Sequence, residues 1–274
     1  MKSGNLTEWL GDSDVSVSLT FDVDADVGFD WRCLNGRLTS SSEAKFGMVR
    51  GLPRILAVLQ RYDIRSTFFV PGEIVEMHPE AIVDILDRGH EVAHHGHYHL
   101  WNDKLDDDGQ RDEIERGLAA MEKHLGLRPL GYRSPGWEMT PQSFVMLSEH
   151  GFLYDSSMMT DDRPYVETVA DRELVEFPVH WSLDDWPFFG FQRDTGGRLA
   201  DPNAVLNTWI GEFESARSDK RHVTYTMHPE CIGRGYRIRL LSQLIEHILA
   251  NCKCRFVTHG QIARELFGDT GELL

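Results

Sequence analysis

Short runs of β-branched and aromatic residues alternate with amphipathic stretches from residue 15 almost to the end of the chain. The runs are VSVSLTF (15–21), RSTFFV (65–70), HEVAH (90–94), PLGY (129–132), LVEFPV (174–179), HVTYTM (222–227) and CRFVT (254–258). Between them, GLPRILAVLQRY, PEAIVDILDRG, DEIERGLAAMEKHLG, PQSFVMLSEHG, PNAVLNTWIGEFESA and RIRLLSQLIEHILA carry apolar residues at three and four spacing, with Pro or acidic starts and Gly at several ends. This alternation predicts an α/β chain of parallel strands joined by crossover helices. Seven strands suit one barrel spanning residues 1–274 better than two small domains. Two stretches show neither period: Val27 to Val49, with Trp31, Gly36 and a Ser-rich patch, and Met158 to Arg172. Loops of that length are expected to form the rims or lids of a pocket.

Composition narrows the function. With 274 residues, 41% of them hydrophobic, the chain can bury a core without disulfides. Its 28 basic and 44 acidic side chains give a net charge of −16, which disfavours capture of nucleic acid or of an anionic membrane and suits a neutral or cationic substrate. The opening MKSGNLTEWLGDSD lacks the apolar run of a secretory signal or membrane anchor, so a cytoplasmic protein is expected. The cysteines (Cys33, Cys231, Cys252, Cys254) show no CxxC spacing and read as free thiols, with Cys252-Lys-Cys254 in a helix-to-strand connection.

In parallel α/β folds, reactive groups gather where the carboxyl ends of strands meet their loops. Asp22, Asp24 and Asp26 follow VSLTF, and His95, His97 and His99 follow HEVAH. Arg133 follows PLGY, and His228 follows HVTYTM. If the strand persists, the three carboxylates point to one side and repel one another unless a cation is present. His95 and His99, four apart at a strand-to-helix transition, can meet one ion on a single helical turn, whereas His90 and His94 lie along the strand itself and are too far apart. A carboxylate plus two imidazoles leaves a metal an open position, and such a metal activates water and polarises a carbonyl. His228 can stand on the opposite wall as a proton donor to a leaving nitrogen. Trp181, Asp184, Asp185 and Trp186, in HWSLDDWPFF, form a stretch able to line the pocket against a ring.

Taken in order, SLTFDVD, STFFVPG, HEVAHHGHYH, GYRSPGW and TMHP resemble the motifs of the polysaccharide deacetylase (NodB-like) family. The resemblance implies a distorted (β/α) barrel of about seven strands and a zinc-like ion, with Co2+, Fe2+ or Ni2+ as substitutes, held by Asp24, His95 and His99. It also implies a base at Asp22, oriented by Arg133, and an acid at His228, with Trp137 of GYRSPGW joining the tryptophans of the substrate pocket. Polymer-active members usually have two adjacent acids after the first strand, whereas here Val23 stands between Asp22 and Asp24. The spaced form, with FVPG and HPECIGR, resembles an atypical branch containing intracellular peptidoglycan-deacetylase-like proteins and enzymes that open allantoin or cyclic imides. The expected enzyme is therefore a metal-dependent amidohydrolase acting on a small cyclic amide or imide, with N-deacetylation of an amino-sugar polymer as the alternative. Relatives in that branch imply a homo-oligomer, dimer or tetramer. Two other classes compete: a haloacid-dehalogenase-like phosphatase, which LTFDVD also suits but which leaves the histidines idle, and a barrel that binds a ligand without turnover.

Overall fold

The structure, a computed structural model, describes residues 13–28, 37–169, 172–191 and 199–267. Nine strands occur among them: β1 (Val15–Asp22), β2 (Thr67–Val70), β3 (Glu91–His94), β4 (Gly131–Tyr132), β5 (Tyr154–Asp155), β6 (Tyr165–Val169), β7 (Arg172–Glu176), β8 (His222–Met227) and β9 (Cys254–Phe256). They form one sheet, curled into a half barrel, in the order β6-β7-β5-β4-β3-β2-β1-β8. All pairs are parallel except β6 with β7. β1 has three neighbours: β8 lies along one edge, while the other is shared by β9, which pairs with Val15, Ser16 and Val17, and β2, which pairs with Thr20, Phe21 and Asp22.

Parallel strands covered by helices usually read as continuous apolar runs. β1 is buried on both faces and still alternates, because the interior of the half barrel is polar. Val15, Val17, Leu19 and Phe21 belong to the main apolar cluster with helical residues such as Leu56, Ile74, Trp209 and Leu241. On the inner face, Ser16 Oγ bonds His222 Nδ1 (2.9 Å), Ser18 Oγ donates to Val257 O (2.9 Å) and Thr20 Oγ1 donates to Tyr225 O (2.8 Å). The inward parity leads along β1 to Asp22, beyond β3 to His95 and beyond β8 to His228. On β4 it falls on Gly131, where a Cβ would lie 1.8 Å from the Tyr154 ring, so only glycine leaves room for that ring inside the barrel.

The helices follow their sequence signals. Leu52–Tyr62 has Pro53 in its first turn and stops at Asp63, whose φ of 54° is left-handed. Asp107–Leu125 is capped by Asp106, which accepts from Gly109 N–H, and ends at Gly126 with φ 60°. Two sequence expectations need correction. Within the stretch read as a rim loop over 27–49, Leu38–Ala44 is an α-helix and Gly47–Gly51 a π-helical turn, while 29–36 lie outside the described residues, as does Cys33. The second long segment, 158–172, holds β6, which pairs antiparallel with β7 and raises the strand number above seven. Cys231, Cys252 and Cys254 are free; Cys252 directly follows the helix Ile238–Asn251 and Cys254 is the first residue of β9. Among the described residues no helix is long and apolar enough to cross a membrane.

Candidate metal centre and active site

β1 ends at Asp22. Val23 N–H bonds Phe69 O (2.9 Å), and Ala25, at φ 44°, turns the chain into the short helix Ala25–Gly28. The strand therefore does not persist through the acidic triplet. Asp22 and Asp24 line the mouth of the barrel, but Asp26 leaves them and faces His78 at 3.5 Å.

His95 and His99 also converge by a route the spacing did not predict. They share no helical turn; Gly96 (φ 70°) and His99 (φ 60°) are left-handed, and their rings stand 5.0 Å apart across a tight loop. Glu113, on the helix Asp107–Leu125, pins that loop by accepting from the backbone N–H groups of His97 (3.0 Å), Tyr98 (2.9 Å) and Leu100 (3.4 Å). The neighbouring histidines serve the scaffold. His94 accepts from Gly96 N–H and donates to Ile114 O, and burial pushes its ring down to about 3. His97 is buried against Gly72 and lies off the pocket.

Asp24 Oδ1 lies 3.4 Å from His95 Nε2, and Oδ2 lies 3.3 Å from His99 Nε2. Ligand atoms of the three residues all fall within 4.8 Å of one another. His95 donates from Nδ1 to Arg133 O (2.7 Å), which leaves Nε2 to turn its lone pair toward a carboxylate oxygen that has no hydrogen-bond partner. Two acceptors face each other with no proton between them, a contact that a cation relieves. Burial works against ionisation of Asp24, but the charge of the His99 imidazole leads the effects that outweigh it and hold the carboxyl well below its ordinary 3.8. This donor set fits a divalent ion such as Zn2+.

Asp22 stands beside the triad, with Oδ2 4.0 Å from His95 Nε2. Its Oδ1 accepts from Arg133 Nη1 at 2.6 Å. The guanidinium is fixed in turn: Nε donates to Ser156 O (3.0 Å), Nη2 to Ser156 Oγ (2.8 Å), and the group lies over the Phe69 ring at 4.0 Å. A fully buried arginine so held presents Asp22 with one fixed charge-assisted bond.

His228 occupies the opposite wall. Its Nδ1 is 2.8 Å from Asp185 Oδ1 and 3.5 Å from Asp184 Oδ1, and its Nε2 is 3.7 Å from Asp24 Oδ2. Burial disfavours the imidazolium, yet the charge of Asp184 and the bond to Asp185 prevail and raise the ring well above 6.5, so it carries both protons at neutral pH. Burial also raises Asp184 to about 7, with the His228 cation opposing.

Above these groups opens a pocket of about 860 Å³ walled by Trp101, Trp137, Trp181 and Trp186, with Tyr98 and Lys104 at its side. Trp137 and Trp181 stack at 4.4 Å, and Trp186 tilts against His228 at 5.2 Å. Trp137 has φ 62°, a left-handed conformation costly for a bulky residue and tolerated where surrounding structure imposes it.

Of the predicted pocket residues, Trp137, Trp181, Asp184 and Trp186 line the cavity. Asp185 does not: fully buried, it accepts from the backbone N–H and the ring of His228 and sets that ring's orientation. Sequence reading missed Glu113, Ser156 and Trp101. Glu113 was open to detection, since it falls with Gln110, Ile114, Gly117 and Met121 on the buried stripe of its helix, where a carboxylate needs a reason. Ser156 and Trp101 lie in segments without periodicity and gave no signal.

Residues 12–154 match the family described as polysaccharide deacetylase. The chain is 27% identical to the peptidoglycan deacetylase of Helicobacter pylori, over 90% of this chain and 95% of that protein. Among solved structures, a protein of Mycobacterium smegmatis described as a polysaccharide deacetylase superposes with a TM-score of 0.90 at 36% identity, covering 94% of this chain and 92% of its own. An allantoinase superposes with a TM-score of 0.85 at 20% identity, over 97% of this chain and 94% of its own, a likeness of fold.

Proposed function

The chain belongs to the polysaccharide deacetylase family, and from that premise we propose that it is a metal-dependent hydrolase of non-peptide amide C–N bonds whose favoured substrate is a small cyclic amide or imide. One observation carries the reading: a cation-ready triad, an arginine-held carboxylate and a doubly protonated imidazole share one pocket floor. The phosphatase alternative gives way, because it has no use for the histidines.

Asp24, His95 and His99 would hold the ion, Zn2+ or a substitute of similar preference. When bound it supplies Lewis acidity, activating water and polarising the amide carbonyl. Asp22, aimed by Arg133, takes the proton of the attacking water. His228 gives its Nε2 proton to the departing nitrogen, and Asp185 keeps the ring aligned while that proton leaves. The four tryptophans wall the pocket and offer flat faces to a ring.

Support for a small cyclic substrate comes from those tryptophan walls and from the fold shared with an allantoinase. N-deacetylation of a glycan is the second reading, and the peptidoglycan deacetylase relative favours it. The proposal carries with it a cytoplasmic homo-oligomer. The deciding experiment offers purified, Zn2+- or Co2+-loaded protein both succinimide, hydantoin and allantoin and N-acetylglucosamine oligomers. Ring opening of the first group is expected; release of acetate from the oligomers with the cyclic compounds untouched would overturn the preference.

A further inference from the structure

At the far end of the half barrel, where β2, β3 and β4 begin, a second cleft of about 470 Å³ opens between Arg65, His90, Arg128 and Arg264. Its carboxylates are engaged. Glu265 is paired with Arg255, and Glu91 accepts from Thr67 Oγ1 (2.8 Å), Tyr154 Oη (2.9 Å) and Gly260 N–H (2.9 Å). The arginines are less so: Arg65 and Arg264 make no hydrogen bond or close ion pair with any described residue, although the charge of Arg264 acts on Glu91, and Arg128 spends one Nη2 proton on His150 O (2.7 Å). In a chain of net charge −16, solubility does not call for three guanidinium groups around one cleft.

His90 adds a directed donor. It is 7% exposed and lines the cleft, and its Nδ1 accepts from Ser66 N–H (3.2 Å). The proton of the neutral ring therefore sits on Nε2, which has no partner among the described residues. Burial, with Arg88 and Arg65 nearby, lowers the ring to about 4, so it remains a neutral N–H donor at physiological pH. An imidazole N–H open to the cleft beside guanidinium forks is a recognition set for a tetrahedral oxyanion.

We propose that this cleft binds a phosphate-type oxyanion carried on a small organic molecule, whose remainder packs against Leu86, Leu127 and Leu130. The volume exceeds what a bare phosphate fills and lies within the usual range for small-molecule sites. None of the residues that line the active-site pocket lines this cleft, so the ligand is bound here and not hydrolysed.

The test titrates the full chain by calorimetry with inorganic phosphate, then with a phosphomonoester such as glucose 6-phosphate. Saturable binding is expected, tighter for the phosphomonoester and weakened by added salt. In Arg65→Ala/Arg264→Ala it should weaken by about tenfold or more, the worth of one charge-assisted bond. Both arginines are exposed, and an unchanged melting temperature verifies that the variant folds. No saturable binding of either compound at millimolar concentration would overturn the proposal. So would binding unchanged in the double variant, which would assign the anion to the metal pocket. Equal affinities for the two compounds would refute the organic portion.

Discussion

Asp24, His95 and His99 on one side of the pocket, and Asp184, Asp185 and His228 on the other, each bring carboxylate oxygens and imidazole nitrogens within 4.8 Å of one another. The first has one carboxylate and two imidazoles, the second two carboxylates and one imidazole, and the placement of one proton separates them further. His95 directs its Nδ1 proton to the carbonyl of Arg133 and turns a bare Nε2 to Asp24. His228 turns its Nδ1 proton to Asp185 instead. The first triad is left needing a cation, while the second supplies its own and becomes an acid. Whether the Nδ1 proton meets a neutral carbonyl or a carboxylate thus helps decide whether an Asp/His cluster binds a metal or moves a proton.

The largest effect that separates the two concerns the ion. Asp24→Ala or His99→Ala is expected to lose the bound metal and all turnover, while Asp184→Asn keeps about one ion per chain by elemental analysis. Metal lost from the Asp184 variant and kept by the others would reverse the comparison. Removal with a chelator should likewise abolish turnover, and Zn2+ or Co2+ should restore it.

Next in size is Asp22→Asn, which keeps the geometry and removes the base. Turnover should fall by about 10²–10⁴-fold with metal content unchanged. A variant that retains turnover would make the chain a binding barrel or give the base another residue.

A smaller, more diagnostic effect belongs to Asp185→Asn. The partnered His228 is raised well above 6.5, so its acid form persists into the alkaline range and activity is lost only as pH rises through that value. Without the Asp185 carboxylate the alkaline limb of kcat/KM should move to lower pH. An unmoved limb would mean that His228 is not the proton donor.

The smallest effect lies away from the chemistry, at the facing buried carboxyls of Asp155 and Glu176, whose Oδ2 and Oε2 find no other partner. Burial raises Asp155 to about 6 and Glu176 well above 4.5. The folded chain therefore holds more protons than the unfolded one, and the stability this pair contributes, complete below the ordinary carboxylate range, is lost as pH rises through the raised values. Glu176→Gln should flatten the fall in unfolding free energy as pH rises above the ordinary carboxylate range. An unaltered slope would show that the two carboxyls share no proton.

Much of the site was legible because strand parity fixes direction. Once β1, β3 and β8 are placed, Asp22, His95 and His228 must point inward at their carboxyl ends, and no tertiary information is needed. Legibility ends where the strands do. Ala25 turns Asp26 away, and Gly96 with His99 closes a loop where spacing suggested a helix. Asp185 was misplaced because residues 177–185 have no period from which a direction could be read. β5, at two residues, is too short to show a pattern, and β6 was passed over because YVETV carries a charge inside its β-branched run.

The three neighbours of β1 bear on how the chain is made. Thr20, Phe21 and Asp22 can pair with β2 early, but Ser16 to Phe21 await β8, and Val15 to Val17 await β9; Ser18 bonds Val257 across 239 positions of sequence. Contacts this distant are slow to form. The strand that carries Asp22 and leads into Asp24 thus precedes its partners in synthesis and is completed after them, so a ribosome-bound chain lacking β9 is expected to expose an open, adhesive edge at Val15–Val17, the end of β1 away from its future active site.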